Sequence, residues 1–116
     1  MVWAFPSTNG FAKAQLLRHY VDHAADFGAQ NAAEYEMLAD RFLGRTLRAG
    51  VLECRRRRGD IVRFDPVTDE YGVLSNERVI RTYFKPVPRT TLTGTITRRC
   101  HNHPTNLAYF QAECRR

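Results

Sequence analysis

The chain has 116 residues, a hydrophobic fraction of 43% and a net charge of +6. That length suits one domain with one modest core, and that apolar content excludes global disorder. No run of roughly eighteen apolar residues occurs, so no membrane-spanning helix is expected, and the opening "MVWAFPSTNG" lacks the basic region and long apolar stretch of a secretory signal.

In chain order, residues 1–11 are expected to form a flexible or extended lead-in to a single domain spanning 1–116. The first half then reads as helix. Leu16, Tyr20, Ala24 and Phe27 recur at a helical period, Leu17 widens the stripe, and Gly28 follows as a residue past the C-cap. Asn31 opens a second helix, with Glu34 three residues on in the manner of a capping box. Tyr35, Leu38, Ala39 and Phe42 form its apolar face and Gly44 ends it.

The second half reads as sheet. "VLECR" (51–55) precedes Gly59-Asp60, "IVRFD" (61–65) precedes the turn Pro66 to Asp69, "EYGVLS" (70–75) precedes Asn76-Glu77, and "VIRTYFK" (79–85) ends at Pro86 and Pro88. Short turns between adjacent strands imply an antiparallel meander. After a loop-rich stretch, "TNLAYFQAEC" (105–114) closes the domain as a short helix with Leu107, Phe110 and Cys114 turned inward. The expected class is α+β, N-terminal helices packed on a small antiparallel sheet.

Chemistry concentrates in three places. His19 and His23 stand one helical turn apart and share a face, with Asp22 and Asp26 near enough to set a tautomer or raise a histidine pKa. Imidazole is the usual general acid or base near neutral pH, and it is equally a packing residue at the edge of an apolar face. Strict alternation along "VIRTYFK" puts Ile80, Thr82 and Phe84 on one face and Arg81, Tyr83 and Lys85 on the other. A hydroxyl, a phenol and two cations within five residues suit a phosphodiester, and the same charges suit an ordinary edge strand. The third place is "CRRRRGD" (54–60), a solvated hairpin or a track for a nucleic-acid backbone.

The charge is uneven. Residues 1–53 carry five Lys/Arg against six Asp/Glu, and residues 54–116 carry thirteen against six. Sixteen of the eighteen basic residues are Arg, whose planar fork matches phosphate. A basic half facing an anionic polymer is one reading and a solvated surface the other. Three cysteines make no disulfide framework, although Cys100 and Cys114 could pair in an oxidising space. "CHNH" (100–103) fits no common zinc spacing, so no metal or cofactor is expected.

"DHAADFG" (22–28), "VRFDPVTDEYGVLSNERVIRTYFKP" (62–86) and "TNLAYFQAEC" (105–114), in that order, resemble the C-terminal nuclease domains of bacterial polymorphic and contact-dependent growth inhibition toxins. They look like the colicin D-type branch of the barnase, EndoU, colicin and RelE-like (BECR) RNase superfamily. The resemblance runs from about Lys13 to Cys114. It implies a BECR-type fold and metal-independent endonucleolytic cleavage of RNA, most of all tRNA, leaving a 2′,3′-cyclic phosphate. It places the essential histidine on His23, a phosphate-holding hydroxyl on Thr82, a cation on Lys85 and the strand aromatic on Phe84. Two positions depart from the pattern: Asp22 stands where the family has a lysine, and Phe84 replaces Trp. His19, Arg81 and Tyr83 complete the catalytic candidates. Arg18, Arg55, Arg56 and Arg63 join Phe84 as candidate RNA contacts. The resemblance also implies a cognate immunity protein, a larger toxin carrier that exports the domain, and action in the target-cell cytoplasm. A basic RNA-binding module without catalysis or a degenerate member of the family, and an enzyme acting on DNA, remain alternatives.

Overall fold

The computed structural model describes residues 7–89 and 99–116. Helix α1, Lys13–His23, runs into a 3-10 turn, Ala24–Phe27, and α2 follows at Ala32–Gly44. Strands β1 (Leu52–Arg55), β2 (Ile61–Phe64), β3 (Tyr71–Leu74) and β4 (Ile80–Phe84) form an antiparallel sheet in the order β1-β2-β3-β4. A two-residue parallel pair, β5 (Val87–Pro88) with β6 (Cys100–His101), and helix α3, Asn106–Cys114, complete the described elements. The class is α+β. The parallel pair falls in the stretch expected to be loop.

The sheet is apolar on both faces, so it is covered twice. On one side Ile61, Leu74, Ile80 and Tyr83 pack under Phe11, Tyr35, Ala39, Phe42 and Leu43. On the other, Val62, Phe64, Tyr71, Val73 and Phe84 pack under Phe110, with Tyr109 and Cys114 alongside. Gly72 lies where α2 comes closest. A Cβ there would meet the Leu43 side chain at 2.9–3.1 Å, so a larger residue would push the helix off the sheet.

Local chemistry explains the element ends. Asn31 accepts the Glu34 N–H at 2.8 Å, satisfying one of the orphan donors of α2. At its other end, Arg63 donates to the carbonyls of Phe42 (3.0 Å) and Arg45 (2.7 Å), and Arg78 reaches that of Gly44 (3.4 Å). The lead-in is extended and held. Buried Asp40 accepts the backbone N–H groups of Ser7 and Thr8, Glu36 accepts that of Phe11, and Gly10 receives the Ile80 N–H. Residues 1–6 lie outside the described residues. The β2–β3 turn is built by Asp65, whose carboxylate accepts from the Val67 N–H at 2.8 Å and the Arg48 guanidinium at 2.9 Å.

Four expectations need correction. The α-helix stops at His23 and the backbone tightens into the 3-10 turn before Gly28, which takes φ 67°. Leu17 is solvent-exposed, because the buried stripe of α1 is set by Leu16, Tyr20 and His23. Leu107 is also exposed; Phe110 and Tyr109 face the sheet instead. Finally, Cys114 pairs with Cys54 and not with Cys100. Packing of α3 across β2 brings its last turn over Cys54 of β1, whereas Cys100 is drawn away into β6.

The Cys54–Cys114 bridge joins positions 60 residues apart. Loop-closure entropy for such a span predicts that Cys54→Ser/Cys114→Ser, or reduction of the wild type, lowers unfolding free energy by about 2–4 kcal/mol in urea titrations. A pH response follows from Asp65. Burial opposes its ionisation, but the Val67 and Thr68 N–H groups and Arg48 outweigh it and hold the carboxyl below its ordinary range. A depressed folded-state pKa stabilises fully above the ordinary carboxylate pKa, and that contribution disappears as pH falls through the folded value. Asp65→Asn should therefore flatten the loss of stability below about pH 4, measured by denaturant titration at several pH values.

Candidate functional site

Helical spacing sets His19 above His23, with ring centroids 5.8 Å apart. The His19 ring lies 5.1 Å from Phe11. His23, the last residue of α1, is buried with its ring stacked on Phe84 at 5.1 Å. Four residues later Phe27 stacks on Tyr83 at 4.2 Å. Tyr83 and Phe84 are consecutive and point to opposite faces of the sheet, so the "HAADF" turn straddles β4, the edge strand. Lys85 follows, its ammonium 5.4 Å from the centre of the Phe27 ring.

A register shift in β4 makes this possible. Val73 pairs with Thr82 but Leu74 pairs with Ile80, leaving Arg81 as the extra residue of a bulge. The alternation read from the sequence is therefore broken at Arg81. Ile80 shares the helix-covered face with Tyr83, while Thr82 lies on the Phe84 face, half-buried.

Tyr83 is enclosed by Phe27, Tyr35 and Phe42, its hydroxyl donates to Glu70 at 2.5 Å, and its carbonyl accepts from the Tyr35 hydroxyl. Burial, and then the Glu70 carboxylate, push the Tyr83 phenol far above the ordinary tyrosine range. Burial does the same to Tyr35, reinforced by Asp22 and Asp26. Both phenols thus act as fixed donors inside the core.

His19, His23, Phe84 and Lys85 meet at one end of β4, with Tyr83 beneath them. The remaining candidates lie elsewhere. Arg81 donates to Asp60 at 3.1 Å, at the β1–β2 hairpin. Arg56 is mostly buried there and bonds Glu113 at 2.7 Å. Arg55 is exposed and reaches the Gly59 carbonyl, and Arg63 is spent on the end of α2 and on Glu53. Arg18 is exposed on α1 and bonds Gln15.

The sequence reading passed over Arg99 and the α3 side of the site. Arg99 donates to Asp26 at 3.1 Å and to the Lys85 carbonyl at 2.9 Å, adding a guanidinium to the His23 corner and engaging one of the carboxylates expected to tune a histidine. Beyond Phe84, Tyr109 continues the aromatic row at 6.4 Å and stacks on His101 at 4.5 Å. The His101 Nδ1 accepts the His103 backbone N–H at 3.2 Å, so its Nε2 carries the proton and donates to Asn106 at 2.8 Å. "CHNH" thus shapes a turn against α3. Among the described residues, no three His, Cys, Asp or Glu side chains converge as a metal-ligand set.

No family model matches the chain, and no curated protein is significantly similar to it.

The enclosure of Tyr83 makes a clear prediction. Tyr83→Phe leaves the Glu70 carboxylate without its phenolic donor and should lower unfolding free energy by about 1–3 kcal/mol in denaturant titrations.

Proposed function

We propose that this chain is a metal-independent endoribonuclease of the toxin type, acting on RNA and above all on tRNA. RNA carries its own nucleophile, the 2′-hydroxyl. Cleavage then requires a base for that proton, positive charge for the phosphorane and an acid for the 5′-oxygen. His23 takes one proton-transfer role and His19 is its partner. Lys85 supplies charge to the phosphorane, with Arg99 adding to the field at the same corner, and Thr82 holds the scissile phosphate, while Arg81 is tied to Asp60 further along β4. The observation that carries this reading is the stack of His23 on Phe84, the residue directly before Lys85. It brings together the two motifs, "DHAADFG" and "RTYFK", on which the resemblance to the colicin D-type branch of the BECR superfamily rests.

The same reading assigns an acidic immunity protein to the producer and a carrier that exports the domain into a target-cell cytoplasm. The Cys54–Cys114 disulfide supports an extracytoplasmic passage, since such bonds persist in oxidising compartments.

A second reading, a basic RNA-binding module without catalysis, is favoured by one observation. His23 is only 5% exposed, as a packing histidine would be.

Incubation of the purified protein with total tRNA, with and without a chelator, separates the two. The nuclease produces fragments ending in a 2′,3′-cyclic phosphate whether or not chelator is present. His23→Ala, checked for an unchanged circular dichroism spectrum, should lose about 10²–10⁴ in cleavage rate. Wild-type rates in that variant would remove His23 from the chemistry, and salt-sensitive binding without scission would establish the module.

A further inference from the structure

At the far end of β4 from His23, the β1–β2 hairpin and the last turn of α3 enclose a cleft of about 140 Å³, lined by Arg56, Arg58, Asp60 and Arg116. Its walls are rigidly built. Asp60, with a side chain only 4% exposed, holds Arg81 at 3.1 Å and Arg56 at 3.6 Å. Glu113 holds Arg56 at 2.7 Å and Arg116 at 3.1 Å. Arg56 also donates to the Glu113 carbonyl and the Tyr71 hydroxyl, and the neighbouring Cys54–Cys114 bridge fixes α3 to β1.

Two carboxylates are thus shared among Arg56, Arg81 and Arg116, and Arg58 has no carboxylate partner among the described residues. Four guanidiniums against two carboxylates leave the cleft positively charged, and Arg58 and Arg116 are exposed at its mouth. Guanidinium forks suit tetrahedral oxyanions, and holding Arg56 and Arg116 on carboxylates meets part of the ordering cost before the ligand arrives.

We propose that this cleft is a phosphate-binding subsite for a nucleic-acid backbone, separate from the histidine corner. Arg58 and Arg116 contact the phosphate, and Arg56 is the positioning residue behind them. Choosing RNA as the source of the phosphate rests on the nuclease reading above. β4 joins the two places: Arg81 reaches the Asp60 wall of the cleft and Phe84 carries His23, about 10 Å further along the strand. One strand of RNA lying along this edge would engage both.

The test uses the full chain carrying His23→Ala, so that RNA stays intact, with and without Arg58→Ala/Arg116→Ala. Both arginines are exposed, and thermal melts confirm that the double variant keeps its fold. Binding of a single-stranded RNA oligonucleotide is measured against salt, and inorganic phosphate is titrated by NMR to locate the site. Loss of two phosphate contacts should make the log–log salt slope shallower by about 1.4. The affinity lost between about 50 and 200 mM salt should then shrink about sevenfold. Phosphate should shift resonances of Gly59 and Glu113 in the parent and not in the double variant. Unchanged RNA affinity and slope would overturn the proposal. So would a double variant that loses binding only to poly-glutamate, which would make the cleft a seat for an acidic protein. If wild-type protein cuts no RNA while the double variant shows the shallower slope, the subsite stands and the nuclease reading alone fails.

Discussion

The bulge at Arg81 decides what the end of β4 can do. An unbroken strand would send Ile80, Thr82 and Phe84 to one face and leave Tyr83 on the other, away from Ile80. With one extra residue, Ile80 and Tyr83 both face the helices, and Thr82 and Phe84 both face α3. The two consecutive rings Tyr83 and Phe84 then serve different layers. Because β4 is the sheet edge, a single turn of chain can clasp both: Phe27 takes Tyr83 and His23 takes Phe84. The position of the imidazole is therefore set by packing on both sides of the sheet, and it inherits the rigidity of the core.

That rigidity rests on polar contacts inside the core as well as apolar area. The Tyr35 hydroxyl binds the Tyr83 carbonyl, the Tyr83 hydroxyl binds Glu70, and Glu70 accepts Arg48 at 2.7 Å, which also grips Asp65 in the β2–β3 turn. The Tyr35 and Tyr83 hydroxyls and the Glu70 carboxylate each meet a partner, so these buried groups contribute order to the core. The network runs from α2 through β4 to the turn that precedes β3 and fixes β4 from behind, leaving its exposed edge to the turn after α1.

Much of this was legible in the sequence. Asn31 with Glu34 marked the start of α2, and four short strands with Gly, Pro and Asp turns gave the meander, because both signals are local. The pairing of His23 with the end of β4 came from the order of motifs in a resemblance, not from periodicity. What escaped was non-local. A bulge has no signature in alternating residues, so the faces of Arg81 and Thr82 could not be read. Cys54 and Cys114 meet only because α3 lies across β2. Arg99 enters the site from beyond a long connection, and Tyr109 does so from a helix whose weak amphipathicity left Leu107 an equally good inward residue.

The arginines show why composition misleads most where it looks plainest. A charge of +6 suggests a surface coated for a polyanion, yet five of these guanidiniums are structural ties. Arg63 and Arg78 close the end of α2, Arg48 holds a turn, Arg56 binds α3 to the hairpin, and Arg99 links the 3-10 turn to β4. Five donors per guanidinium let one side chain satisfy several carbonyls and carboxylates at once, which a lysine cannot do. Binding capacity is thus a matter of which arginines remain at the surface after the fold has used the others; among them Arg58 and Arg116 stand near one end of β4, with Lys85 at the other. Each end is held by a different covering layer, α1 with its turn at one and α3 with its disulfide at the other. The spacing between Arg81, which reaches Asp60, and Phe84, which carries His23, is accordingly a property of the folded sheet, set by β4 itself.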